Sequence, residues 1–407
     1  MTEKKLIPKR RFEDFQEQWK KLKFWDFTKL SQGLQIAIDK RYLTNAEDRM
    51  FYITNEFLNP NSKIKYYIEA PSKNVVANNK DILMTRTGNT GLIVTDVNGA
   101  FHNNFFKIIY DVSIVRKKFL YYLLNTPELQ RKILDRAGTS TIPDLNHNDF
   151  YTILVKIPLI KEQKKIGEFF KVLDERITNQ EHKIAKIKLL KSAYLMEMFP
   201  QKGERIPKRR FKGFKEDWKE VELGSIGKTF SGLSGKTKKD FGRGSAEFVT
   251  YMNIFNNTIS DINNTEKVIY DNKATQLKYG DILFTTSSET PEEVGMSSVW
   301  LDDRPNVYLN SFCFGFRSNI NIDFYFIGYL LRTNIFRRKI EILAQGISRY
   351  NISKSKVMEL KINLPNIQEQ KKIGQFFKNL DNQIKMEDRK LNKLQKMKDA
   401  YLVEMFV

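Results

Sequence analysis

Cysteine is almost absent. Cys313 is the only one in 407 residues, so no internal disulfide can form and a reducing cytoplasm is the expected setting. Histidine is nearly as scarce. His102, His147 and His182 are scattered, and with one thiol they leave no Cys/His metal cluster. Long apolar runs are missing as well. The longest, Tyr325 to Leu331, is far too short to span a bilayer. Residues Met1 to Phe12 are polar and basic with no apolar core, so export is not expected. No terminal amphipathic helix pairs a basic face with bulky apolar anchors, which argues against a membrane surface. Acidic side chains are outnumbered: 48 Asp and Glu stand against 69 Lys and Arg, a formal net charge of +21. That balance points to a polyanion, although charge alone leaves open a merely soluble basic protein. A hydrophobic content of 41% argues against disorder, and the length suits two to four domains.

What the chain does have is a copy of itself. Residues 7–20 read IPKRRFEDFQEQWK and residues 206–219 read IPKRRFKGFKEDWK, with ten of fourteen positions identical at an offset of 199. EQKKIGEFF at 162–170 is answered by EQKKIGQFF at 369–377, and AYLMEMF at 193–199 by AYLVEMF at 400–406, both at an offset of 207. Between these anchors the halves barely match. One island survives, Asp81-Ile82-Leu83 against Asp281-Ile282-Leu283. The plan is one unit written twice: a basic opening segment, a variable region, and a long terminal segment. Two units of this size are duplicated domains and not a solenoid of short repeats.

The terminal segments carry a seam. Ile166, Phe170, Leu173, Ile177, Ile184 and Ile187 follow alternating four- and three-residue spacing, as do Ile373, Phe377, Leu380, Ile384, Leu391 and Leu394. Both seams break at matched places, Gln180 with Glu387 and Lys191 with Lys398. Proline is absent from 159–199 and from 366–406, and Pro158 and Pro365 sit just upstream. The spacing predicts two helices of about 35 residues, each about 50 Å long. Each seam wants a partner, and the other copy is the obvious one. The connectivity lets the two pack antiparallel, with the polar positions setting register. Two separate amphipathic helices, each on its own domain, are the alternative.

The variable regions read as α+β. Lys80–Thr85, Gly91–Thr95 and Gly280–Thr285 look like strands, and Leu129–Leu134 and Ile335–Leu343 look helical. Three kinds of polar loop could read DNA bases. The first runs over 229–243 and holds Lys236, Lys238, Lys239 and Arg243; its shorter counterpart at 29–41 ends in Lys40 and Arg41. The second follows the Asp-Ile-Leu strand, with Arg86, Thr87 and Asn89 in one half and Thr286 and Ser287 in the other. The third precedes the long helix, with Ser140 and Thr141 answered by Ser348, Arg349 and Tyr350. Arg or Lys suits guanine, Asn suits adenine, and hydroxyls suit either, while lysines also neutralise phosphate. For any one residue a solvated turn is the plainer reading; the argument rests on the loops together.

Several catalytic look-alikes fail on spacing. Gly235-Lys236-Thr237 lacks the upstream glycine of a phosphate-binding loop, because position 230 is Phe. Asp144 with Glu162-Gln163-Lys164 mimics a metal-dependent nuclease, but the second copy has Tyr350-Asn351 where Pro-Asp should stand. No glycine-rich S-adenosylmethionine motif occurs, and no Asn-Pro-Pro-aromatic tetrapeptide.

With these residues together, the sequence resembles the specificity subunit of type I restriction–modification enzymes over its whole length. Arg11, Phe12, Phe15 and Trp19, copied as Arg210, Phe211, Phe214 and Trp218, carry the resemblance, with the doubled Glu-Gln-Lys-Lys-Ile helix starts and the unlike domains between like flanks. The resemblance implies a target-recognition domain over 1–150, a long spacer helix over 151–200, a second recognition domain over 201–350 and a second helix over 351–407. These would form a pseudo-twofold object with antiparallel coiled-coil helices between two α/β domains. It implies that each domain binds half of a split, asymmetric double-stranded DNA sequence, and that the helices act as a ruler. It implies two docked methyltransferase subunits, plus motor-nuclease subunits for restriction. S-adenosylmethionine, and ATP with Mg, would then belong to those partners, and this chain would be non-catalytic. A self-sufficient DNA-cleaving or DNA-modifying enzyme, or a non-specific nucleic-acid scaffold, are the competing readings.

Overall fold

The computed structural model describes residues 6–138 and 142–407. Its contacts divide it into two units. One comprises residues up to Glu181 together with Arg389–Val407, and the other comprises His182–Asp388.

In the first unit the Asp-Ile-Leu island becomes the inner strand Ile82–Thr85 of an antiparallel sheet. The order is Thr28–Gln32, Phe105–Tyr110, Ile82–Thr85, Ile93–Thr95. The period of two along a strand decides what each face covers. Ile82 and Met84 join Phe106 and Ile108 against the helices α1 (Lys117–Leu124), α2 (Pro127–Ala137) and α3 (His147–Thr152). Leu83 and Phe105 point the other way, onto Ile53, Ala77 and Phe101 of a second sheet. That sheet is ordered Tyr66–Glu69, Arg49–Ile53, Gly99–Phe101, Val76–Ala77. Each fully buried side chain of this size contributes about 1.5–3 kcal/mol. Lys20–Lys23 pairs antiparallel with Leu154–Ile157, just ahead of the first long helix, α4 (Ile160–Glu197).

The second unit repeats the scheme with other residues. Its sheet runs Gly227–Ser231, Cys313–Ser318, Ile282–Thr285, Ser297–Val299. Ile282 and Phe284 face the helical side, while Leu283 packs on Val249, Val307 and Leu309. The helices are α5 (Tyr251–Asn256), α6 (Phe324–Leu330), α7 (Asn334–Leu343) and α8 (Lys354–Met358), followed by the second long helix, α9 (Ile367–Glu404). Thr126 and Thr333 cap α2 and α7 at the same offset of 207 as the helix repeats. Lys219–Glu222 pairs with Lys361–Leu364, as its copy does in the first unit.

The seams meet. In the first unit Phe169 of α4 lies 5.1 Å from Tyr401 of α9, and Asp174 binds Lys398 at 2.6 Å. In the second unit Tyr194 of α4 lies 5.0 Å from Phe376 of α9, and Lys183 binds Glu387 at 2.9 Å. In each unit the α9 number falls as the α4 number rises, so the segments run antiparallel. The seam breaks at lysine are explained. Lys191 reaches Asp381, which also accepts from the Tyr329 hydroxyl at 2.6 Å, and Lys398 reaches Asp174, which accepts from Tyr122 at 2.8 Å. A lysine in the seam is therefore half of a polar knot that fixes register.

The opening segments are clasps. Arg11 holds the buried Glu162 with two bonds of 2.7 Å, and Arg210 holds Glu369 at 2.7 and 2.8 Å. Glu162 is therefore committed to a guanidinium. Trp19 and Trp218, later in the same segments, are buried among Phe119 and Phe406 and among Phe199 and Phe326.

Two loop boundaries differ from the sequence reading. Lys29–Gln32 and Thr229–Ser231 are strand, each paired along an inner strand, and Phe241–Arg243 begins the strand Phe241–Val249. Their polar side chains hid the pairing, because both are outer strands of their sheets and keep one face wet.

Candidate nucleic-acid interface

In each unit the first two loops, which look unrelated in sequence, meet at one turn, and in the second unit the third loop joins them. In the second unit that turn is Asn310–Cys313. Gly232, opening the first loop, donates its N–H to Cys313 O at 3.3 Å. Thr286 of the second loop donates its N–H and its hydroxyl to Phe312 O, at 3.0 and 2.8 Å. Ser287 and Ser288 pair antiparallel with Asn351 and Tyr350 of the third loop, and the Arg349 guanidinium lies 5.9 Å over the Phe312 ring. In the first unit the turn is His102–Phe105. Gly33 donates to Phe105 O at 3.3 Å, and Arg86 N–H donates to Asn104 O at 2.7 Å. Just past the third loop, Asp144 bridges to Thr87, and Pro143 O accepts from the Thr90 hydroxyl at 2.8 Å.

The predicted residues fall into three groups. Lys40, Lys238, Lys239, Arg243, Asn89, Ser348 and Arg349 are exposed. A second group is engaged within the protein. Arg86 binds Asp144 at 2.7 Å and lies over Phe106. Arg41 donates to Ile36 O at 2.7 and 3.0 Å between the rings of Tyr52 and Tyr66. Lys236 binds Asp271 at 2.8 Å. Thr87, Thr286 and Tyr350 are half-buried, and Ser287 is 4% exposed, its carbonyl accepting from the Tyr251 hydroxyl. Ser140 and Thr141, the third group, lie outside the described residues.

The sequence reading missed several groups. Asn103 and Asn104, half-buried on the central turn of the first unit, carry the amides that suit adenine. Glu289 and Glu292, at the exposed tip of the second loop of the second unit, are acceptors that suit cytosine. Arg49 lies 3.6 Å over the Tyr42 ring near the exposed Leu43. Arg332 donates to the carbonyls of Ser297 and Ile254 at 2.6 Å, and of Phe255 and Asn257 at 3.0 Å. Burial pulls the Arg332 and Arg337 guanidiniums down to about 10. Beside Arg86, the His147 imidazole is held below its ordinary value by burial first and by the guanidinium second.

Among the described residues no group of three His, Cys, Asp or Glu could hold a metal ion. No helix among them is long and apolar enough to cross a membrane.

Known proteins match this chain over most of its length. The family profile described as "Type I restriction modification DNA specificity domain" matches twice, over residues 16–189 and 215–396. A curated relative, the type I restriction enzyme MjaVIII specificity subunit of Methanocaldococcus jannaschii, is 25% identical over 398 residues, covering 94% of this chain and 90% of its own. The solved type I restriction–modification S subunit from M. genitalium aligns over 98% of this chain and 99% of that one, with a TM-score of 0.58 and 17% identity. A structure from work on complex assembly and conformational transition of a type I R-M system covers 94% of this chain and 96% of that one, with a TM-score of 0.57 and 17% identity.

Proposed function

The chain belongs to the type I restriction–modification DNA specificity family, with two copies of its domain, and we propose from that premise that each unit reads one half of a split, asymmetric duplex sequence. The observation that carries this is the meeting of the first two loops at one turn in each unit, joined by the third loop in the second unit, on matching frames with unlike side chains. Like frames suit a shared role, and unlike loop tips suit unlike half-sites. The net charge of +21 supplies attraction to phosphate, which is independent of sequence. Arg41, Arg86 and Lys236 are pre-oriented by internal partners, and Lys238, Lys239, Arg243 and Arg349 are exposed.

In this reading α4 and α9 set the gap between half-sites. Each has 38 residues, and at 1.5 Å per residue such a helix is about 57 Å long. Half-sites one helical turn apart are separated by about 34 Å, so the length is of the right scale. The doubled clasps and helix starts offer the same surface twice, which suits two copies of one partner, the methyltransferase subunit. S-adenosylmethionine chemistry, and the ATP- and Mg-dependent work of motor-nuclease subunits, fall to partners in the cytoplasm, and this chain does no chemistry itself.

The test is selection from a randomised duplex pool by the purified full chain at fixed salt. The expected result is two separate blocks of preferred bases with an unread gap of fixed length. A single block, or none, contradicts the proposal. Turnover of DNA by the chain alone with Mg and S-adenosylmethionine contradicts its non-catalytic part.

A further inference from the structure

The second loops differ in sequence and length, yet their bases are built alike. In the first unit the loop spans 86–92, between the strands Ile82–Thr85 and Ile93–Thr95. In the second it spans 286–296, between Ile282–Thr285 and Ser297–Val299. The strand-end threonine closes each loop through its hydroxyl oxygen: Thr85 accepts from Leu92 N–H at 2.9 Å, and Thr285 from Met296 N–H at 3.0 Å. The residue before each donor is a glycine with positive φ, Gly91 at 92° and Gly295 at 63°. Positive φ strains any other residue at both positions, and a side chain there would also displace its neighbours. A Cβ on Gly91 would stand 2.8 Å from Gln130 Oε1, and one on Gly295 would stand 2.6 Å from Ile352 Cδ1 and 2.7 Å from Ile340 Cγ2.

Each glycine carbonyl is then taken by a helix side chain. Gln130 of α2 donates to Gly91 O at 2.9 Å, and Arg337 of α7 donates to Gly295 O at 2.7 Å. These two residues are related by the offset of 207 that relates the long helices. The longer loop receives more donors. Arg337 also donates to Glu292 O at 2.9 Å and to Val294 O. Gln130 spends its other bond on Leu124 O, within the helical layer.

We infer that Gln130 and Arg337 are positioning residues for sequence specificity, each holding the base of its unit's reading loop through a glycine carbonyl. The inference rests on the DNA-reading function proposed above. A loop tip reads a base only if its donors and acceptors sit within a fraction of an ångström of the base edge. A tip hinged on a loose glycine would sample several poses, and discrimination would fall while phosphate contacts, which tolerate displacement, would persist.

The test repeats selection from the randomised duplex pool with the full chain carrying R337A, R337Q or Q130A. R337A is expected to flatten one block of preferred bases by about tenfold, the scale of one mispaired position, and to leave the other block as in the unaltered protein. R337Q, which supplies the amide that suffices in the first unit, is expected to recover part of that preference. Q130A is expected to flatten the other block. Wild-type preference at both blocks in R337A, or equal weakening of both, overturns the inference. Should R337A fail to fold, R337Q and Q130A decide, and unchanged blocks in both overturn it equally. A pool in which the unaltered chain shows no preference refutes the DNA-reading function itself, and the inference falls with it.

Discussion

The Arg210–Glu369 clasp makes a quantitative prediction. Glu369 is fully buried at the start of α9, and both its oxygens accept from Arg210, at 2.7 and 2.8 Å. The carboxylate holds the Arg210 guanidinium above its ordinary value. Arg210 also donates to Glu216 O at 2.6 Å, which folds the opening segment back on itself. Arg210→Met removes all three bonds and leaves an ionised carboxylate buried without its partner. Breaking a buried pair in this way costs about 3–5 kcal/mol, against about 0–1 kcal/mol for an exposed pair. Arg210→Met combined with Glu369→Leu removes both charges, and should recover most of the loss. Arg11 and Glu162 form the same clasp in the first unit, so Arg11→Met is an internal control. Because the chain has two units, one global midpoint is not a sufficient readout. Amide hydrogen exchange resolved by peptide should show Arg210→Met raising exchange in 206–222 and 361–388 while 20–157 stays protected, with the reverse for Arg11→Met. A loss under about 1 kcal/mol, or equal loss in both units from one substitution, would refute the assignment of the clasp as a buried structural pair.

Three further outcomes follow from the same geometry. His147 is held below its ordinary 6.5 by burial and Arg86, and His102 by burial and Arg41. Their folded-state values are depressed, so the unfolded chain binds the protons more readily. The stability they contribute is whole above about 6.5 and is lost as the pH falls through the folded-state values. Denaturation of the first unit should therefore become easier as the pH falls below about 6.5, and His102→Gln with His147→Phe should flatten that slope. Arg349→Ala, and separately Arg86→Ala, should each weaken preference at one half-site only, read by competition between matched and scrambled duplexes; equal loss on all sequences would mark a phosphate contact. Four residues added to α4, about one helical turn, should change the gap tolerated between half-sites, and an unchanged gap would remove the ruler role.

Local periodicity made part of this protein legible. The alternating four- and three-residue spacing located both long helices, and the matched lysines at 191 and 398 marked where their seams are polar. The partners of those lysines were not legible. Asp381 and Asp174 matter because Tyr329 and Tyr122 reach them from other helices. The loops behaved similarly. Each stood out by composition, but Arg86 meets Asp144 across 58 residues, and Thr286 meets Phe312 across 26. Only strand pairing brings these together, and it is set by non-local register that no short window reports. The turns His102–Phe105 and Asn310–Cys313 carry no motif of their own. Their place at the centre follows from the strands on either side. Gln130 and Arg337 could have been found from the sequence, since the offset of 207 aligns them, but nothing local says that their donors serve glycine carbonyls.

The most direct measurement is base-resolution mapping of methylated sites in a host that expresses this chain with its cognate methyltransferase subunit, compared with a host lacking this chain. Marks that appear only with the chain, at one motif of two unlike half-sites around a gap of constant length, are the predicted result. Marks at a palindrome, at a single uninterrupted motif, or unchanged by removal of the chain would contradict the account.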